Sequence, residues 1–125
     1  MHHLLRAGEI QFAEAYPGHS SEFRKAALID GTEGSVHTGL SLCSLGIDGH
    51  VDTHLHSYEK SFYILEGEPT LIFDGRAYPL VPGACGLIPL AVPHSWRGPT
   101  KETVRWLEMV APQPRKSGPL PLTGC

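Results

Sequence analysis

The sequence has no apolar run approaching the roughly 18 to 20 residues that span a bilayer, and its opening, Met1 to Arg6, lacks the apolar core of a secretory signal. A soluble, cytoplasmic chain with no membrane partner is expected. Cysteine is scarce: Cys43, Cys85 and Cys125 are an odd number and form no CxxC pair. That excludes a disulfide framework and a zinc knuckle, and leaves Cys43 and Cys85 as expected buried, inert thiols. Basic residues form no run longer than Arg24-Lys25 or Arg115-Lys116, and the formal net charge is -3, so no nucleic-acid partner is expected. After Ser35 there is no sustained helical period, and nowhere is there a repeat of fixed length.

What is present fits one small all-β domain. A chain of 125 residues that is 41% hydrophobic can fill one core but not two. Its 14 glycines and 11 prolines are scattered, as short strands joined by tight turns require. Alternation marks a strand over residues 38–45, with Leu40 and Leu42 on one face. Further strands are expected at residues 50–56, 61–65, 70–73, 77–80, 86–89 and 103–110. Glu66-Gly67, Asp74-Gly75 and Pro82-Gly83 supply turns, Asp-Gly being the strongest hairpin signal because both residues tolerate positive φ. The expected organisation is an N-terminal arm or edge strands (1–34), a barrel core (35–111) and a Pro-rich tail (112–125).

His54 and His56 stand two apart, so in a strand both imidazoles aim at one face while Leu55 faces the other. Two adjacent imidazoles form half a metal site, and a barrel interior would give it rigid walls. An exposed His-x-His pair is an equally good account of these residues alone. The surrounding run GHVDTHLHSYEKSFYILEG (Gly49 to Gly67) resembles the first cupin motif at His54, His56 and Gly67. The run GACGLIPLAVPHSWRG (Gly83 to Gly98) resembles the second at Gly83, Pro89 and His94. The chain is thereby identified as a member of the cupin superfamily, which implies a double-stranded β-helix, or jelly-roll barrel. It also implies a divalent metal, Fe, Mn, Zn or Ni, held by His54, His56 and His94.

The chain departs from the motifs at named positions. Lys60 stands where the family has its ligand carboxylate, Asp48 where it has the opening Gly, and Ala91 and Gly98 where it has Gly and Asn. An ammonium is not a ligand unless its proton is lost, so a site of three histidines with open positions is implied, similar to that of some cupin dioxygenases. Lys60 and Glu59 are the candidate catalytic residues. Near a cation Lys60 should have a lowered pKa and act as a base or pair with an anionic substrate; alternatively it swings to solvent or pairs with Glu59 or Glu66. Tyr58, Phe62, Trp96 and Arg97 either line a pocket or, for Phe62 and Trp96, fill the core. Glu108 becomes an acid, base or extra ligand if alternation turns it inward.

Three functions follow from the resemblance. One is a metal-dependent enzyme on a small polar metabolite, dioxygenase chemistry leading. The second is a hydrolase similar to ureidoglycine aminohydrolase, suggested by SFYILEGE and VRWLEMVAPQPR. The third is a small-molecule binding module without turnover. The expected partners are a small-molecule ligand or substrate and a second copy of the chain, cupins commonly being homodimers.

Overall fold

The computed structural model describes residues 4–29, 38–56 and 58–111. The tail expected at 112–125 and the stretch 30–37 with His37 lie outside the described residues, as does Ser57. Among the described residues there is no α-helix, only a 3-10 turn at Ala7–Glu9. Among the same residues no helix is long and apolar enough to cross a membrane.

Among the described residues nine strands form a curled sheet whose pairings are all antiparallel. They are β1 (Ala13–Glu14), β2 (Ser20–Ile29), β3 (Gly39–His54), β4 (Glu59–Glu66), β5 (Thr70–Phe73), β6 (Arg76–Pro79), β7 (Cys85–Ile88), β8 (His94–Arg97) and β9 (Val104–Ala111). The order is β6-β5-β8-β3-β9-β4-β7, with β2 beside β3 and β1 beside β2.

The long strand β3 turns this order into a barrel. Residues Gly39 to Leu45 pair with β9, whereas His50 to His54 pair with β8, so one strand serves both walls. The change of wall falls at Gly46 to Gly49, where Asp48 takes a φ of 55°. Asp is among the few non-glycine residues that enter the left-handed region readily, which accounts for Asp48 standing where the motif has glycine. Expected strands at 38–45 and 50–56 are therefore one bent strand, ending at His54.

The ambiguous N-terminal stretch contributes β2, whose ten residues run along nearly all of β3. The Asp74-Gly75 hairpin forms as expected: φ values of 52° and 73° at its two central residues match a type I′ turn joining β5 to β6. Gly67 at the end of β4 has φ 79°, and a Cβ there would sit 2.8 Å from the Thr103 carbonyl oxygen. Conformation and crowding both demand glycine in the first motif.

One face of the strands fills the barrel with aromatic rings. Trp96 and Trp106 stack at 4.3 Å, Phe23 lies 5.7 Å beyond Trp106, and Phe62 meets Trp96 edge-on at 5.3 Å. Leu45, Val51, Ile64, Leu71, Ile88 and Val104 complete the core. Phe62 and Trp96 are thus core. Leu40 and Leu42 lie on the opposite, half-buried face, while the inward positions of β3 include Cys43 and Leu45. Cys43 is buried, but the expectation of a second buried thiol is corrected: Cys85 is exposed. Alternation in β7 turns Gly86 and Ile88 inward and Cys85 and Leu87 outward.

Candidate metal centre

His54 closes β3 and His94 opens β8, and the two are direct cross-strand partners. Opposed residues of this kind hold their Cβ atoms about 4.5 to 5.5 Å apart. His56 follows just past the strand end and is pinned there by its carbonyl, which accepts the Ala91 N–H at 2.7 Å. The loop that carries His94 is thus tied to the segment that carries His56. The three rings converge, with centroids 4.8 Å (His54–His56), 4.4 Å (His54–His94) and 4.6 Å (His56–His94) apart. One nitrogen from each lies within 4.8 Å of those of the others, so the group could hold a metal ion.

The hydrogen bonds orient these nitrogens. His54 Nδ1 lies 2.9 Å from the Asp52 carbonyl oxygen and His94 Nδ1 lies 3.0 Å from that of Val92. A carbonyl only accepts, so each Nδ1 carries the proton and each Nε2 keeps its lone pair. Both Nε2 atoms, and both ring nitrogens of His56, are buried and have no hydrogen-bond partner among the described residues. Buried polar atoms are nearly always satisfied, so unpartnered nitrogens on three converging rings fit a group that could hold a metal ion.

Protonation does not compete with that role. Burial, reinforced by Lys60 and the neighbouring imidazoles, pushes His56 down to about 2. Burial also takes His94 down to about 4, against the opposing pull of the Val92 carbonyl, and lowers His54. All three imidazoles are neutral at pH 7, the form that binds metals. Tyr58 stacks on His56 at 4.8 Å and Tyr16 lies against His54 at 5.0 Å, so two phenols flank the cluster.

Beside the imidazoles lies a buried charged cluster. Lys60, 1% exposed, points inward from β4 instead of reaching solvent, Glu59 or Glu66, and its Nζ is 3.4 Å from Glu108 Oε2. Lys25 Nζ meets the same oxygen at 3.0 Å and donates to the Tyr16 hydroxyl at 3.3 Å. Glu108 Oε1 accepts the Trp106 indole N–H at 3.1 Å. Burial alone would raise the Glu108 carboxyl, but Lys25 and Lys60 hold it far below the ordinary carboxylate range. Burial opposes the charged form of Lys25 as well, but Glu108, Tyr16 and Cys43 together outweigh it and raise that ammonium well above its usual value. Burial raises the adjacent Cys43 thiol well above its usual value, so it is protonated at pH 7.

Glu59, by contrast, is exposed, as strict alternation beside an inward Lys60 requires. Arg97 is exposed too. The carboxylate that enters the interior is Glu108, on the inward face of β9 with Trp106. Sequence reasoning left Glu108 conditional and missed Lys25 and Tyr16. The signal for Lys25 was its position two residues from the apolar Phe23 on the same strand, which turns it inward.

The model of the Cupin domain family (Cupin_2) matches residues 42–110, more than half of the chain. The chain is a cupin. The polyketide cyclase RemF from Streptomyces resistomycificus superposes on this cupin with a TM-score of 0.84 at 26% identity, covering 94% of this chain and 83% of that one. KdgF from a Halomonas species gives 0.78 at 11% identity, covering 91% and 96%. A predicted oxalate decarboxylase from Thermotoga maritima gives 0.76 at 19%, covering 88% and 99%. The last two establish the fold alone, which is the jelly-roll barrel expected. No curated protein matches the sequence.

Proposed function

We propose that this cupin is a metal-dependent enzyme acting on a small, carbonyl-bearing metabolite, with His54, His56 and His94 as the protein ligands. The observation that carries the reading is the set of four orphaned imidazole nitrogens, two of them oriented by backbone carbonyls acting on the opposite ring nitrogen. Three neutral imidazoles are a donor set that suits Zn, Fe, Mn or Ni. A divalent ion held there supplies Lewis acidity toward a carbonyl or water in its open positions.

The chain's own residues do the rest. Tyr16 and Tyr58 flank the imidazoles and limit the approach of water. Lys60 is an interior proton donor whose charge acts on all three imidazoles, and Glu108 fixes its position. The 26% likeness to RemF, a polyketide cyclase, favours cyclase chemistry. The three-histidine set itself favours a second reading, an oxygen-dependent iron enzyme.

Elemental analysis of the purified protein should find near-stoichiometric metal, and His54→Ala, His56→Ala and His94→Ala should each weaken its retention by more than about 100-fold, beyond the 10- to 100-fold effect of outer-shell changes. Alanine variants that keep the metal refute the ligand set. Zinc without oxygen uptake supports the cyclase-like reading; iron with oxygen uptake supports the second.

A further inference from the structure

We propose that Tyr16 is a gate over the metal centre: its ring shields the His54 imidazole, and Lys25 latches it shut against a strained backbone. The inference rests on the metal-centre reading for what lies behind the gate, and goes further in naming the segment that moves. Of the three imidazoles only His54 is partly exposed, so the solvent side of the cluster is the His54 side. Its Nε2 is nonetheless buried. The ring of Tyr16, half-buried itself, lies against that imidazole at 5.0 Å, whereas Tyr58, on the His56 side, is 5% exposed and belongs to the interior.

The segment that carries Tyr16 has the build of a moving part. Tyr16, Pro17, Gly18 and His19 form a tight turn, closed by the His19 N–H donating to the Tyr16 carbonyl at 2.9 Å. Proline at its second place and Gly18 at its third, with a φ of 82°, are what a type II turn requires. The Ser20 hydroxyl donates to the Ala15 carbonyl at 2.6 Å, which stiffens the segment, while Pro17, Gly18 and His19 are exposed. Tyr16 itself has a φ of 53°, in the left-handed region that a bulky aromatic residue keeps only when its surroundings hold it there. Phe23 and Lys25 do so: the ring stacks on Phe23 at 5.7 Å, and Lys25 Nζ donates to the hydroxyl at 3.3 Å. Lys25 is fixed in turn by Glu108 at 3.0 Å. Opening breaks those contacts and relieves the backbone at the same time, so the two effects offset and the closed and open positions lie close in energy.

The test uses diethyl pyrocarbonate, which modifies accessible imidazoles, on metal-free protein, with the rate at each histidine read by tandem mass spectrometry. His50 is the internal reference, because its side chain is 44% exposed and it stands on the same strand as His54. With the gate open about a tenth of the time, His54 in native protein should react about ten-fold more slowly than His50. Equal rates overturn the proposal, a comparison that does not depend on a variant folding. Tyr16→Ala should raise the His54 rate by about the same factor and leave the His50 rate unchanged. An unchanged His54 rate overturns the gate. Tyr16→Phe keeps the ring and loses the hydroxyl contact with Lys25, so its His54 rate should fall between those of native protein and Tyr16→Ala; a rate equal to native overturns the latch. On cobalt-loaded protein, transfer of the ion to a chelator should quicken in Tyr16→Ala with the cobalt stoichiometry kept. An unchanged release rate, or a variant that no longer takes up cobalt, overturns gating. A native protein that takes up no cobalt refutes the metal centre, and the rates on the metal-free protein still decide whether Tyr16 shields His54.

Discussion

Glu108 is the side chain on which the interior charges depend. It is 3% exposed and is the shared partner of Lys25, Lys60 and Trp106. Removing the negative member of a buried cluster leaves its cations uncompensated, at a cost of about 3 to 5 kcal/mol. Glu108→Gln, nearly isosteric, should therefore shift the urea unfolding midpoint far more than Lys60→Met, which leaves one pair intact. The histidines give a pH signature in the metal-free protein. Their folded pKa values lie below the ordinary 6.5, with His94 at about 4 and His56 at about 2. Between those values and 6.5 the unfolded chain binds more protons than the folded one, so stability falls as pH falls. Thermal melts of metal-free protein should drop progressively from pH 7 toward pH 4, and a flat profile over that window would refute the neutral, buried assignment.

At the level of elements, strain gathers where strands change direction. Asp48 takes positive φ in the bend of β3, and Ala91 takes a φ of 60° in the loop before β8, where its N–H reaches the His56 carbonyl. A left-handed alanine costs roughly 1 to 2 kcal/mol, partly offset in glycine by the greater freedom of its unfolded state. Ala91→Gly should accordingly stabilise the protein by roughly 0.5 to 1 kcal/mol, seen as a higher melting temperature with the hydrogen bond to His56 retained. A lower melting temperature would mean that the Ala91 methyl group contributes packing that outweighs its backbone strain.

For the molecule as a whole, the face of the sheet opposite the aromatic core is the unfinished part. Register places Ser61 beside both Leu87 and Met109, and Tyr63 beside both Cys85 and Leu107, so apolar side chains from β7, β4 and β9 form one band. Tyr63, Leu87 and Met109 are each about half exposed, and Leu40 and Leu42 extend the band onto β3. A second copy of this chain, related by a two-fold axis, would set the band against itself and cover it. Sedimentation at micromolar concentration should give a species of twice 13.6 kDa, and Leu87→Asp combined with Met109→Asp should return it to the monomer. A native protein that sediments as a monomer refutes this.

Local chemistry made much of the molecule legible in advance. Alternation marked most strands and Asp74-Gly75 marked its hairpin, because these depend on backbone geometry within a few residues. His54 and His56 do meet in one cluster, but His56 lies past the end of β3, where the Ala91 N–H rather than strand alternation holds its backbone. Strand β8 was hidden, since HSWR is too short to show a period, and the ten-residue β2 was blurred by its register shifts against β3. Alternation in β9 paired Trp106 with Glu108 on one face, but which face is inside depends on the opposite wall of the barrel. The Lys25, Lys60 and Glu108 cluster belongs wholly to tertiary structure. Lys25 pairs with Cys43, Cys43 with Trp106, and Lys60 with Val110, so three charges distant in sequence meet only once β2, β3, β9 and β4 are in register. The sequence by itself determined which way each strand's side chains alternate; only the closed barrel decided that two lysines and a glutamate would share the interior with the imidazoles, because closure sets which strands lie side by side and which of their faces is enclosed.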